Sequence, residues 1–330
     1  MKLLRHLSAA EVAASMPPLT ERLELAELTM RSLGREAELP PKIGVHPRPI
    51  GSLAHAMPAL LRGRAADGSE DLIGAKWITG FPANPATGLP TYHALVVLSN
   101  PVTGEPLAVM DAGAITAQRT AAISGTAIRH FLPDGTVRGR PARIAILGAG
   151  AQAASHLPVV GHLLPGAVVT ITDVDSDRAR ALAAQAGAVE GIASAESVGG
   201  VRKAVESADV VISVVSFGPD RQTLDPAWLG PRTLSVAVDY DMQAPASLAR
   251  EAYFVVDERD QFLATRSGAA FAGYPEPNAT IGEVLRGDAT VATGGRILVT
   301  HLGVGLADVV FASAILKRAE QLGLGRLLPG

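Results

Sequence analysis

A short apolar run, Arg143-Ile-Ala-Ile-Leu147, leads directly into Gly148-Ala-Gly150-Ala151-Gln152-Ala153 and then into an apolar helical stretch. Few folds need that order of residues. Gly148 permits a tight turn, Gly150 lets backbone approach a pyrophosphate, and the small Ala153 lets the helix pack against the strand. The helix that opens with Ala151 and Gln152 adds unpaired N–H groups and the positive end of its dipole. Twenty residues after Ala153, the run Ala167-Val-Val-Thr-Ile-Thr-Asp173 ends in a carboxylate. At that position a carboxylate accepts hydrogen bonds from the adenosine ribose hydroxyls and repels a 2'-phosphate, so NAD is expected in preference to NADP. The competing reading of Asp173 is a cap for the helix starting near Ser176, for which Asp175 is better placed.

Apolar strands and helical stretches alternate beyond this point, with strands expected at 143–147, 168–172, 210–215, 233–238, 253–256 and 297–300. That alternation predicts an α/β fold with a doubly wound parallel sheet. Ser213, Val214 and Val215 close the run 210–215 at the carboxyl edge, where a bound dinucleotide lies, and are candidates to border its ribose and nicotinamide; an ordinary strand end is the alternative.

Before residue 140 the pattern differs. Ser8 is placed to cap a short helix, and a second helix starts near Pro17. A Pro-rich stretch, 40–58, follows, and strands are expected at 72–81, 92–99 and 106–110, the last two joined by the turn Asn100-Pro-Val-Thr-Gly104. This half reads as an antiparallel sheet with helices. The Ala-rich run 114–132 reads as a helix bridging the two halves, and the helix 306–321 is expected to return to the first. A discontinuous α+β domain, residues 1–125 and 305–330, is thus expected beside a Rossmann domain of residues 126–304.

Charge and composition narrow the function. Lys and Arg number 29 against 32 Asp and Glu, which leaves no basic excess for phosphate contacts along nucleic acid. The chain has no Cys, which removes disulfides, thiolate metal sites and cysteine nucleophiles. Its His residues show no HxxxH pair, so no metal site is expected. Arg5, His6 and Glu11 interrupt the opening sixteen residues where a signal peptide would be apolar, and no long uncharged apolar run follows. A cytoplasmic protein without membrane contact is expected. Charged residues are 18% of the chain against about 25% in typical soluble domains, and a subunit partner would cover part of the apolar surplus.

Three basic residues stand in unusual company: Arg48 in His-Pro-Arg-Pro, Lys76 within Leu72-Ile-Gly-Ala-Lys-Trp-Ile78, and Arg119 within the Ala-rich helix. Lys is rarely buried without a partner or a function. Together such cations would clamp a substrate carboxylate. A wet strand face for Lys76 and a solvated helix face for Arg119 are the alternatives.

The blocks GAKWITGFPAN, PLAVMDAGAITAQRTAAISGTA, ILGAGAQAASHL and HLGVGLADVVFASAILKRA, in this order, resemble the ornithine cyclodeaminase and mu-crystallin family. The resemblance implies a homodimer whose first domain, residues 1–125 and 305–330, is a substrate-binding and dimerisation domain, an NAD(P)-binding Rossmann domain, and hydride transfer at the α-carbon of an L-amino acid or its imine. It matches Lys76 and Arg119, and by position Arg48, to substrate-carboxylate contacts. It also implies a catalytic aspartate after the fifth strand, for which Asp241 is selected and Asp239 held in reserve; either could instead cap the segment after Ala244. One departure stands out. Where ornithine cyclodeaminases carry a glutamate two residues before a Met-Pro, this chain has His55-Ala-Met57-Pro58, which places His55 and Met57 among the candidate substrate contacts and puts ornithine cyclisation in doubt. The family also contains synthases of amino-acid adducts and a hormone-binding crystallin, so an adduct synthase or a non-catalytic NAD(P)H-dependent binding protein are the alternatives. Substrate size selection is expected in the loops 44–51 and 262–277.

Overall fold

The computed structural model describes residues 3–133, 135–137, 139–268, 270–292 and 294–329. The chain divides into two compact units, residues 1–119 with 303–330 and residues 120–302. Both the expected boundary near 125 and this division fall inside one continuous helix, Gly113–Phe131, which runs through Gly125 without a break.

In the first unit, eight strands form a sheet in the order Arg326–Leu328, Leu4–Leu7, Pro106–Asp111, Tyr92–Ser99, Leu72–Gly80, Leu53–Leu61, Ala37–Glu38, with Ile43–Val45 also pairing Leu53–Leu61. Two points correct the reading from sequence. Leu4–Leu7 pairs parallel to Pro106–Asp111, so the sheet is mixed. The nine-residue strand Leu53–Leu61, which begins inside the Pro-rich stretch and was not among the strands expected, pairs along its length with Leu72–Gly80. Proline usually argues against an interior strand because it lacks the ladder N–H. Pro58 is tolerated because it falls between the residues paired to Ile43–Val45 and those paired to Ala37–Glu38, where no strand runs on that side.

Alternation fixes the two faces of this sheet. Met57, Lys76, Val96 and Met110 stand opposite one another across four strands and are all buried. The helix Gly305–Gln321 packs against the strands carrying Met57 and Lys76, and against helix Leu19–Ser32. Trp77 lies opposite Leu95 on the other face, and both are exposed, as are Ile73 and Val97. The short helix Ala9–Ala14 begins with the reciprocal Ser8 and Glu11 capping box.

The second unit carries an eight-stranded sheet in the order Ile192–Ser197, Ala167–Thr172, Arg143–Leu147, Val210–Ser213, Leu234–Ala237, Ile297–Thr300, Tyr253–Val256, Ala279–Thr280. All its pairings are parallel. The chain reverses its direction of travel across the sheet between Arg143–Leu147 and Val210–Ser213, the switch point where doubly wound sheets bind ligands. The fourth strand ends at Ser213 rather than Val215. The short outer strand Ile192–Ser197, rich in Ala and Ser, lies outside the runs expected from apolar patterning.

Candidate active site

In the first unit, one carboxylate gathers the two cations singled out in the sequence. Lys76 Nζ lies 2.7 Å from Asp308 Oδ2, and Arg119 Nε lies 3.3 Å from Asp308 Oδ1. Asp308 is fully buried, Lys76 is 1% exposed and Arg119 5%. The wet-face readings of both cations are excluded. Burial pulls the Lys76 amine down to about 7, Asp308 opposes the fall, and Arg119 and Lys42 add to it. Two glycines make room for this cluster. A Cβ on Gly303, whose φ is +81°, would overlap the Arg119 guanidinium, and one on Gly305 would lie 2.5 Å from the Met57 carbonyl oxygen.

His55 and Met57, two residues apart on one strand, share the Lys76 face of the sheet, His55 standing opposite Ile78. Burial foremost, then Lys42, His46 and Lys76, lower the His55 imidazole to about 4, so it is neutral near pH 7. Arg48 is exposed in the turn after Ile43–Val45, unlike the buried Lys76 and Arg119.

In the second unit, Gly148 adopts φ +103°, and a Cβ there would lie 2.8 Å from the Val214 carbonyl oxygen. The turn and the end of the fourth strand therefore touch at the switch point. Gly150 is the N-cap of helix Ala151–Leu163, with open space where its Cβ would be. Ala153 is fully buried behind it. The first turn of this helix is held by His156, whose Nδ1 lies 2.6 Å from the Gln152 carbonyl oxygen and whose Nε2 lies 2.8 Å from Ser124 Oγ. The side-chain oxygen of Gln152 is buried without a hydrogen-bond partner among the described residues. A turn bounded by two glycines, a helix N-terminus with no side-chain cap and an unpaired polar atom suit a bound pyrophosphate.

Asp173 accepts the Ala149 N–H at 2.7 Å, inside that turn, and the Asp175 N–H at 2.8 Å. Arg178 pairs with the same carboxylate at 3.0 Å. Asp175, not Asp173, is the N-cap of helix Ser176–Ala186.

Two further acids follow the strand Leu234–Ala237. Asp241 accepts the Phe271 N–H at 2.8 Å and pairs with Arg221. Asp239 accepts hydrogen bonds from the Ser213 hydroxyl and, at 3.2 Å, the Val215 N–H, both to Oδ2. Its Oδ1 is buried with no hydrogen-bond partner among the described residues. Burial raises this carboxyl to about 7, against the lowering effect of its hydrogen bonds. Neither acid caps helix Ala246–Glu251, whose first N–H is taken by Gln222. Of the stretch expected as a loop, 262–277, residues 262–266 belong instead to helix Arg259–Arg266; Tyr274, beyond it, donates its hydroxyl to the Ala244 carbonyl oxygen at 2.7 Å. Among the described residues no group of three His, Asp or Glu is placed to hold a metal, and no helix is long and apolar enough to cross a membrane.

Asp308, Gly303 and Gly305 were not singled out in the sequence. The signal for Asp308 was available: it is a lone acid in the apolar run Leu306-Ala-Asp-Val-Val-Phe311, the counterpart of a lone lysine in an apolar strand.

The model of the ornithine cyclodeaminase/mu-crystallin family matches residues 2–322. The chain belongs to this family. Among its relatives, the nodulation efficiency protein NfeD of Rhizobium meliloti is 33% identical over 98% of both chains. An alanine dehydrogenase of Archaeoglobus fulgidus is 28% identical over 96% of this chain and 95% of its own. A solved archaeal alanine dehydrogenase dimer with bound NAD is 26% identical, covers 99% of each chain and superposes with a TM-score of 0.83.

Proposed function

We propose that this chain is an NAD-dependent enzyme that moves a hydride from the α-carbon of an L-amino acid, or back onto the corresponding imine. The observation that carries the reading is the buried trio Lys76, Arg119 and Asp308. When Lys76 is protonated, two cations against one anion leave one positive charge inside an apolar wall, an arrangement that a substrate carboxylate would neutralise. The family, and the alanine dehydrogenase with bound NAD among its relatives, support the same chemistry.

When bound, NAD supplies the nicotinamide ring that accepts the hydride. The residues suited to hold it are Gly148, Gly150, Ala151 and Gln152 at the pyrophosphate, Asp173 at the ribose, and Ser213, Val214 and Val215 toward the nicotinamide. Lys76 and Arg119 bind and orient the carboxylate, with Met57 and the neutral His55 on the same sheet face. As hydride leaves the α-carbon, Asp241 takes the proton released by the amine, and the product is an iminium. Attack by water gives a keto acid and ammonia, attack by an internal amine gives a ring with loss of ammonia, and attack by an external amine gives an adduct with loss of ammonia.

A second reading of the proton acceptor is favoured by one observation. Both Asp241 oxygens are engaged, by Arg221 and Phe271 N–H, whereas Asp239 has an unpartnered oxygen and titrates near neutrality. Replacing each by Asn separates the two. The essential acid should lose about 10²-fold or more in turnover with NADH binding retained; retention of full activity in both variants would remove the aspartates from the mechanism.

Homodimerisation is part of the proposal. The exposed Ile73, Trp77, Leu95 and Val97 lie on the sheet face opposite Lys76 and form an apolar patch of the kind a subunit interface covers.

A further inference from the structure

We infer that Asp308 is a positioning residue of the carboxylate clamp, keeping Lys76 charged and aiming both cations, and so governs substrate binding through them. The inference rests on the reading of Lys76 and Arg119 as that clamp.

The geometry is specific to such a role. Each carboxylate oxygen serves a different cation, Oδ2 to Lys76 at 2.7 Å and Oδ1 to Arg119 Nε at 3.3 Å. A carboxylate divided in this way fixes the spacing of the two cations. Asp308 is held rigidly: it lies in the first turn of helix Gly305–Gln321, where the dipole favours an anion, and the helix is packed on the strand of Lys76. The Arg119 guanidinium lies where a side chain at residue 303 would be, so the glycine is what lets Arg119 reach Asp308.

Electrostatics gives the direction of the effect. The groups acting on Lys76 are Asp308, Arg119 and Lys42, and the neighbouring His55 is neutral near pH 7. Burial, Arg119 and Lys42 all disfavour the ammonium, and Asp308 alone among these favours it. With Asp308 present the amine titrates near 7, so an arriving carboxylate can complete its protonation. Without Asp308 every remaining influence has the same sign, and Lys76 would be neutral at pH 7. A buried ion pair that served only to join helix and strand would have no such effect on carboxylate binding.

The chain contains only five lysines, Lys2, Lys42, Lys76, Lys203 and Lys317, so each side chain can be followed by NMR in protein labelled with ¹³Cε-lysine. The Lys76 signal is assigned by its loss in Lys76→Met. Titration without substrate should place Lys76 near 7 in the wild type and lower by about one pH unit or more in Asp308→Asn. Propionate, as a probe carboxylate, should then bind Asp308→Asn about tenfold more weakly at pH 8, with affinity recovering toward pH 6 as the amine regains its proton. An unchanged Lys76 titration in folded Asp308→Asn would overturn the inference, as would a loss of propionate affinity by the same factor at every pH. If Asp308→Asn does not fold, Asp308→Glu decides: the longer side chain displaces the carboxylate, and a Lys76 titration identical to the wild type would overturn the inference. Failure of the wild type to bind propionate at any pH would instead refute the clamp reading, while the lysine titration tests Asp308 separately.

Discussion

At the residue scale, the burial of acids in the second unit has a consequence for stability that is independent of substrate. The Asp239 carboxyl is raised from its ordinary 3.8 to about 7. Between these values the folded chain holds a proton that the unfolded chain has released, so this group's contribution makes stability fall as pH rises through the window. Asp239→Asn cannot ionise. Its melting temperature relative to the wild type should therefore be higher at pH 8 than at pH 5, and thermal unfolding at the two values checks this; the same difference at both would mean that Asp239 titrates normally. Arg178 bears on the cofactor. Its ion pair with Asp173 weakens the repulsion that the carboxylate would exert on a 2'-phosphate. We expect NAD to remain the better cofactor, and Arg178→Ala to lower kcat/KM for NADP further while changing that for NAD by less than about threefold, on the scale of an exposed ion pair. Steady-state kinetics with both cofactors tests this, and a gain in NADP use would contradict it.

At the scale of single elements, backbone contacts limit what the dinucleotide turn can tolerate. A methyl group at Gly148 would meet the Val214 carbonyl at 2.8 Å with the backbone at φ +103°. Gly148→Ala should weaken NADH binding at least tenfold, because the turn must shift away from the pyrophosphate position, as a fluorescence titration would reveal. Gly161, in the same helix, packs against the Glu190 carbonyl with no space for a Cβ. Gly161→Ala should cost about 1–3 kcal/mol or more of stability by overpacking, measurable by urea unfolding. The elements legible in the sequence are those whose pattern is strong: Arg143–Leu147, Val210–Ser213 and Ile297–Thr300 are short, β-branched and bounded by turn residues. Leu53–Leu61 was hidden by Pro58 and its alanines, because only its partner strands reveal that the proline meets no ladder. Ser8 was legible as a cap because the capping box is local; Asp308 stood out only as a lone acid in an apolar run, and its pairing was not legible because its partners lie 232 and 189 residues away in sequence, by the differences of 308 from 76 and 119.

At the scale of the whole molecule, the family and the doubly wound sheet were legible because four sequence blocks and an alternating pattern extend over most of the chain. The protonation states of Lys76, His55 and Asp239 were not, since each depends on burial that distant segments create. The exposed apolar face leads to a further expectation. Light scattering should give a dimer of the 330-residue chain, and the pair Trp77→Lys with Leu95→Glu should yield monomer with its circular dichroism spectrum retained. A wild-type monomer at working concentration would contradict the proposed assembly.

The central claim is hydride transfer at an amino-acid α-carbon anchored through Lys76. Its most direct test follows 340 nm absorbance and ammonia release together, with NAD and a panel of L-amino acids that includes alanine and ornithine, for the wild type and Lys76→Met. The account predicts NADH, ammonia or both from the wild type with at least one amino acid, and loss of that signal in Lys76→Met. Full activity in Lys76→Met, or NADH binding by the wild type with no turnover on any amino acid or cyclic imine, would contradict it.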